Sequence, residues 1–206
     1  MHSLLLLITD AGDLMVTAPL ALGLMLLLWR AGAPRTALAM AAGLGVCFAL
    51  LAVSKLVFVA CGNYWMAGIR SPSGHTGMST YVYGSYALVL ATLLGPRRVP
   101  AIAVAAGLLV AAIGASRLFL HCHTPSEVLV GLLFGANALL VFAWFYRAPP
   151  RPEQLRPTWL LGLLALVMLM LHGQHAGAEG VLYRVALALR DHYGVCLGPP
   201  HPVAWF

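Results

Sequence analysis

Two short strings in this sequence bring together basic, hydroxyl, imidazole and carboxylate side chains. The first, RSPSGHT at residues 70–76, places Arg70, Ser73, Gly74 and His75 directly before an apolar run. Serine and proline are typical of a helix start, where unpaired N–H groups and the positive end of the helix dipole can bind phosphate. Glycine leaves room for close approach of a ligand. The string predicts either a phosphate-binding helix start or simply a capped helix after a turn.

The second string, SRLFLHCHTPSE at residues 116–127, contains Arg117, His121, His123 and Glu127. An arginine at the end of an apolar helix is costly unless it lies at the interface or has a partner. The four residues from Thr124 to Glu127 have the pattern of a capping box with proline at the first helical position. A carboxylate in that first turn is well placed to hold a nearby imidazole, so we expect Glu127 to serve both purposes.

The single lysine, Lys55, lies inside another apolar run. Its ammonium group could extend along the helix to the membrane interface. It could also bind an anion, because an ionisable residue within a membrane segment is a functional hypothesis by default.

The remaining composition indicates an integral membrane protein. Of the 206 residues, 61% are hydrophobic and 9% are charged, and the mean hydropathy is +0.89. Ordinary soluble domains have about 25% charged residues, so a soluble globular enzyme and a disordered chain are both excluded. The net charge of +6 comes from scattered arginines. We attribute it to membrane topology and anion binding, with no nucleic acid partner.

The elements that must position these residues are predicted to be an all-α bundle of about six transmembrane helices, since a span needs about 20 apolar residues. We expect one membrane-embedded domain over residues 1–206, with a catalytic core at about 36–146. Residues 172–206 form an outward-facing tail with a short amphipathic helix, and residues 1–8, followed by Asp10 and Asp13, form an interfacial lead-in. The expected spans are 14–29, 36–60, 75–94, 99–118, 125–146 and 158–171.

Arginines concentrate in alternate loops of this arrangement, and the positive-inside rule puts those loops in the cytoplasm. Loops 61–74 and 119–124 then face outward together with both termini. Helix parity therefore gathers Lys55 and both strings at one membrane face. The cytoplasmic arginines are Arg30, Arg35, Arg97, Arg98, Arg147, Arg151 and Arg156.

Taken together, the residues resemble the type 2 phosphatidic acid phosphatases (PAP2), which are related to the vanadium haloperoxidases. That family's pattern is K-x6-RP, then PSGH, then SR-x5-H-x3-D. This chain has PSGH intact at 72–75 and SR-x5-H-x3-E at 116–127, and the resemblance covers roughly residues 10–150. Two of the three elements depart from the pattern. Gly62-Asn63 stand where Arg-Pro is usual, which leaves Arg70 as the nearest arginine, and Glu127 stands where aspartate is usual.

The resemblance implies a lipid phosphatase of a bacterial inner membrane, with its active site facing the periplasm or the outside. His123 would attack phosphorus, Glu127 would fix the tautomer of His123, and His75 would protonate the leaving oxygen and then activate water. No cofactor or metal is expected. The substrate would be a membrane lipid such as polyprenyl diphosphate, phosphatidylglycerophosphate, phosphatidate or a lipid A phosphate. The expected phosphate ligands are Arg117, Lys55, Arg70, Ser73 and Gly74.

Several alternatives stay open. The same phosphohistidine could transfer its phosphoryl group to another lipid or sugar. The fold could also have become a catalytically inactive phospholipid-binding or transport protein, since folds do not fix function. His121 competes with His123 as the nucleophile, and the two could instead bind a metal with other histidines. A disulfide between Cys61 and Cys122 would join the two outward loops if they face an oxidising compartment.

Overall fold

The computed structural model of the chain describes residues 2–61, 69, 71–150, 152–175 and 177–193. These residues form helices and connecting turns with no β-strand, so the all-α prediction is confirmed. Two single 3₁₀ turns, Pro96–Arg98 and Pro152–Gln154, precede α5 and α7. The helices are α1 His2–Asp10, α2 Leu14–Arg30, α3 Pro34–Cys61, α4 Gly74–Leu94, α5 Val99–Phe119, α6 Pro125–Phe145, α7 Pro157–Leu171 and α8 Ala178–Tyr193.

Four segments of the described chain are long and apolar enough to cross a membrane. They are Ser3–Arg30, Pro34–Cys61, Pro96–Phe119 and Pro125–Phe145. Two of the six expected spans do not meet this standard: α7 has 15 residues and is short, and α4 has 21 residues but carries many polar side chains. The first segment includes α1, which packs against α5 and leads into α2 through a short corner at residues 11–13.

The polar side chains of α4 follow from its place at the centre of the bundle, where it contacts α2, α3, α5, α6 and α7. Three tyrosine hydroxyls of α4 donate to backbone carbonyls of its neighbours. Tyr81 donates to Met40 on α3, Tyr83 donates to Ala11 at 2.6 Å and Tyr86 to Leu20 at 3.1 Å. Buried polar groups need such partners where water is excluded. The hydroxyls therefore tie α4 to α3, to α2 and to the corner before α2.

Glycines bring α4 and α6 into close contact. A Cβ atom on Gly135 would lie 2.2 Å from the carbonyl oxygen of Gly77, and one on Gly131 would lie 2.4 Å from that of Ser73. Small residues allow this approach between helices in membranes. Because α4 and α6 start with the two strings that carry chemistry, this contact sets the distance between those strings.

We expect Gly135→Ala to destabilise the fold by about 2 kcal/mol, since its methyl group would push the backbone of α6 away from α4. Gly107→Ala on α5 is the matched control, because no atom lies within 4 Å of a Cβ there. Thermal unfolding in detergent should show a lowered midpoint for Gly135→Ala and little change for Gly107→Ala. Equal midpoints for both variants would contradict the close α4–α6 contact.

The arginine-bearing connections lie at the end of the bundle opposite the two strings. There the Thr36 hydroxyl, at the start of α3, donates to the carbonyl oxygen of Arg147 at 2.9 Å, just beyond α6. The helices thus alternate in direction, as the charge pattern predicts.

The tail contains the expected helix, α8, which packs against the C-terminal part of α3. Ala186 is fully buried there against Ala60 and Cys61. The hypothesis of a Cys61–Cys122 disulfide is wrong. Cys61 is disulfide-bonded, but Cys122 is a free thiol. The reason is that Cys61 faces α8, whereas Cys122 lies in the turn after α5, with its sulfur 3.6 Å from the carbonyl oxygen of Leu120. Cys196 lies outside the described residues.

Candidate active site

A cavity of about 560 Å³ lies at the end of the bundle where α4 begins and α5 ends. Its polar lining comes from separate parts of the chain, since α3, α4, α5 and the connections beside α2 and α8 all contribute. Four residues selected from the sequence line it, namely Lys55, Gly74, His75 and Arg117. Parity alone predicts that these residues share one end of the bundle, and the cavity is where they meet.

Lys55 lies beside the first turn of α4. Lys55 is only 7% exposed. A Cβ atom on Gly74 would lie 3.8 Å from its Cε atom and 4.0 Å from its Nζ atom. The missing side chain at Gly74 therefore leaves room between the ammonium group and the N-terminal turn of α4. That turn adds the positive end of a helix dipole, so both features favour an anion.

Arg117, in the last turn of α5, is held by the N-terminal part of the chain. Its Nη1 donates to the Thr9 hydroxyl at 3.1 Å. Its buried Nε has no hydrogen-bond partner among the described residues. A buried donor without a partner is costly, and a guanidinium group matches a phosphate with two parallel N–H bonds. Because Arg117 lines the cavity, its guanidinium group brings a positive charge and N–H donors of this kind to an anionic ligand there.

His123 and Glu127 form the pair that the spacing predicts. Glu127 Oε2 lies 3.0 Å from His123 Nδ1, and the same oxygen accepts from the Thr124 N–H at 2.9 Å, while the Thr124 side chain caps α6 in return. Glu127 therefore completes the capping box and orients the imidazole at once. Because Nδ1 faces the carboxylate, it carries the proton in the neutral imidazole, which leaves Nε2 unprotonated and nucleophilic.

Glu127 also joins the two strings. Its Oε1 accepts from the Ser71 N–H at 2.9 Å, and its carbonyl oxygen accepts from the Ser73 N–H at 3.0 Å. The Ser73 hydroxyl lies 3.0 Å from that of Thr76 and caps α4. Ser73 is fully buried and does not line the cavity. Its side chain serves the helix start, although the sequence suggests it as a phosphate ligand.

The other selected residues lie elsewhere. His123 has a side chain 7% exposed and does not itself line the cavity, although Leu120 and Cys122 of the same turn do. His121 is exposed and has a left-handed backbone, with φ 56°. Arg70 lies outside the described residues, so its replacement of the missing family arginine stays a prediction. Within the ranges that the structure describes, no three His, Cys, Asp or Glu side chains are grouped as metal ligands.

Three further polar residues line the cavity that the sequence analysis did not select: Thr9, Asp13 and His175. Asp13 Oδ2 lies 3.6 Å from both His75 Nε2 and His175 Nδ1. The sequence feature that could have identified Asp13 is the pair Asp10 and Asp13 after an apolar run. Carboxylates inside a membrane segment are rare unless they have a function.

Comparison with known proteins identifies the family of this chain. The family model described as the PAP2 superfamily matches residues 54–151. The chain is also 31% identical, over 154 residues, to an uncharacterized 22.5 kDa protein in the cps region of Klebsiella pneumoniae. That alignment covers 70% of this chain and 71% of the relative. No solved structure matches the chain.

Proposed function

This chain belongs to the PAP2 superfamily, and from that premise we propose that it is a membrane lipid phosphatase working through a phosphohistidine on His123. Members of the family are generally phosphatases, and the long apolar helices agree with a membrane protein. The substrate would be a phosphomonoester or diphosphate on a lipid of the polyprenyl, phosphatidylglycerophosphate, phosphatidate or lipid A type.

The observation that carries this proposal is the convergence of Lys55, Arg117 and His75 on one cavity. Phosphoryl transfer depends mainly on positioning the phosphoryl group and neutralising its charge. Lys55 and Arg117 supply two positive charges, and the first turn of α4 supplies a helix N-terminus.

The rest of the cavity supports a lipid as the carrier of the phosphate. A cavity of about 560 Å³ lies in the usual range for small-molecule sites and exceeds what a phosphate group alone requires. Most of its remaining wall is apolar, so an acyl or prenyl chain can occupy it while the head group reaches the cationic end. The apolar lining includes Leu14, Phe48, Leu51, Met78, Leu120 and Leu182.

The proposed reaction has two steps. His123 Nε2 forms a bond to phosphorus, and the bond from phosphorus to the lipid oxygen breaks while His75 gives that oxygen a proton. Water then attacks the phosphohistidine, gives a proton to His75, and the N–P bond breaks to release inorganic phosphate. Glu127 stabilises the positive charge that develops on His123. We further propose that this end of the bundle faces the outside of a bacterial inner membrane, opposite the arginine-rich loops.

Two other functions use the same residues. In a phosphotransferase, an alcohol would replace water in the second step. An inactive lipid-binding or transport protein would need the cations alone. The His123–Glu127 pair favours catalysis, because simple binding of a phosphate does not require an oriented imidazole.

The test is phosphate release by the purified protein in detergent, in the presence of chelator. A panel of lipid mono- and diphosphates is compared with glycerol phosphate, which has the phosphate but no long apolar chain. We expect at least one lipid to be hydrolysed about a hundredfold faster than glycerol phosphate, because the apolar wall contributes binding energy only with a chain.

Two results would contradict the proposal. Consumption of the lipid phosphate only when an alcohol acceptor is added, with the phosphoryl group recovered on that alcohol and not as inorganic phosphate, would indicate phosphotransfer. Binding of the lipids without release under either condition would indicate an inactive binding protein.

A further inference from the structure

The corner between α1 and α2 is built into the candidate active site. A Cβ atom on Gly12 would lie 3.2 Å from His75 Cβ and 2.7 Å from Ile113 Cγ2. The backbone of the corner therefore packs against the first turn of α4 and the C-terminal half of α5. Thr9, just before it, accepts from Arg117. This segment precedes residues 54–151, which the family model matches. It therefore adds groups to the site that the family motifs do not include.

Asp13 is the charged group that the corner contributes. Its Oδ1 accepts from the Met15 N–H at 2.8 Å and caps α2. Its other oxygen, Oδ2, lies 3.6 Å from His75 Nε2. The side chain is 9% exposed and lines the cavity. The helix cap thus fixes the carboxylate with one oxygen directed at the imidazole.

We propose that Asp13 is a positioning residue for His75: its carboxylate keeps His75 in the protonated form that donates a proton to the leaving oxygen. This inference rests on the proposed function. A general acid must carry its proton at the working pH. An anion within about 4–6 Å favours the charged form of an imidazole, and Asp13 lies within that distance.

The other charged groups around the cavity disfavour a protonated His75, so a nearby anion is needed to stabilise that form. Two cations, from α3 and α5, oppose the addition of a further positive charge at His75. A second imidazole, on the connection before α8, shares the same Asp13 oxygen at 3.6 Å. The α6 pair supplies a carboxylate that is already bonded to its own imidazole. The groups are Lys55, Arg117, His175 and the His123–Glu127 pair.

Asp13→Asn tests this role, because asparagine can still cap α2 and only the charge is lost. Asp10→Asn is the matched control. Asp10 is equally buried in the same segment, but its Oδ2 lies 3.6 Å from His172 and it does not line the cavity. The readout is kcat/KM against pH, whose basic limb reports the pKa of the essential acid in the free enzyme.

We expect Asp13→Asn to move the basic limb to lower pH by about one unit, since loss of the anion lowers the pKa of His75. Asp10→Asn should leave the limb in place. An unchanged limb in Asp13→Asn, or an equal displacement in Asp10→Asn, would overturn the inference.

A second measurement does not depend on activity. The ring resonances of isotope-labelled histidines are titrated in detergent, and the His75 signal is identified by its absence in His75→Gln. Its midpoint should fall by about one unit in Asp13→Asn, and an unchanged midpoint would overturn the inference. If the wild-type protein releases no phosphate from any lipid, the proposed function fails, and this titration alone decides whether Asp13 holds the proton on His75.

Discussion

Replacing His123 by glutamine should lower phosphate release by at least about a thousandfold, because the reaction then lacks its nucleophile. The orientation of the His123 ring determines which of its nitrogens can react. Nδ1 of His123 lies 3.0 Å from Glu127 Oε2, so the other ring nitrogen is the one that can attack phosphorus. Glutamine has a polar side chain of similar reach but no such nitrogen. The loss should appear in kcat, with no change in the thermal unfolding midpoint.

His121 provides the control for this experiment, since it is a second histidine only two residues away in the same turn. It is exposed and does not line the cavity. Its φ of 56° lies in the left-handed region, where asparagine is tolerated better than most residues. We therefore expect His121→Asn to keep phosphate release close to the wild-type rate. The opposite pattern, with activity lost in His121→Asn and kept in His123→Gln, would reassign the nucleophile.

The covalent step can be observed directly. Wild-type protein mixed with a lipid labelled in its phosphate group and quenched in base should retain label that is released by acid, as expected for a phosphohistidine. His123→Gln should retain none. Label on the protein that survives acid would indicate a phosphoester on a serine or threonine instead, and would contradict the mechanism.

Local signals in the sequence predicted the positions of α4 and α6 well. The expected starts at 75 and 125 correspond to Gly74 and Pro125, because serine and threonine caps and an N-terminal proline act over a single turn. The double role of Glu127 was also predictable, since the capping box and the i, i+4 spacing to His123 both lie within a few residues.

Contacts between distant parts of the chain were not predictable in this way. The corner before α2 lies more than 60 residues from His75, and its contact with α4 depends on how α1 packs against α5. The packing of Cys61 beside α8 depends on how α8 lies against the end of α3, which sidedness alone does not reveal. The motif predicts that N–H groups near Ser73 bind phosphate, but the Ser73 N–H donates to the carbonyl oxygen of Glu127, a contact between residues 54 positions apart.

The guanidinium group of Arg117 should be the most important phosphate ligand. Arg117→Lys keeps the positive charge but removes the planar pair of N–H donors that matches two phosphate oxygens. It also removes the Nη1 bond to Thr9 that fixes the side chain. We expect kcat/KM to fall about a hundredfold or more, as for the loss of one donor to a developing oxyanion. Inhibition by inorganic phosphate should weaken as well.

The matched control is Arg97→Lys, because Arg97 is exposed at the opposite end of the bundle. Its substitution should leave both kcat/KM and phosphate inhibition unchanged. If Arg117→Lys retained wild-type kinetics, the site would need only a positive charge at this position, and the fork geometry would not contribute to transition-state binding. Lysine preserves the charge and most of the length of the arginine side chain. A large loss of kcat/KM in Arg117→Lys would therefore show that directed hydrogen bonds from the guanidinium group are required, and such bonds are strongest where water is excluded.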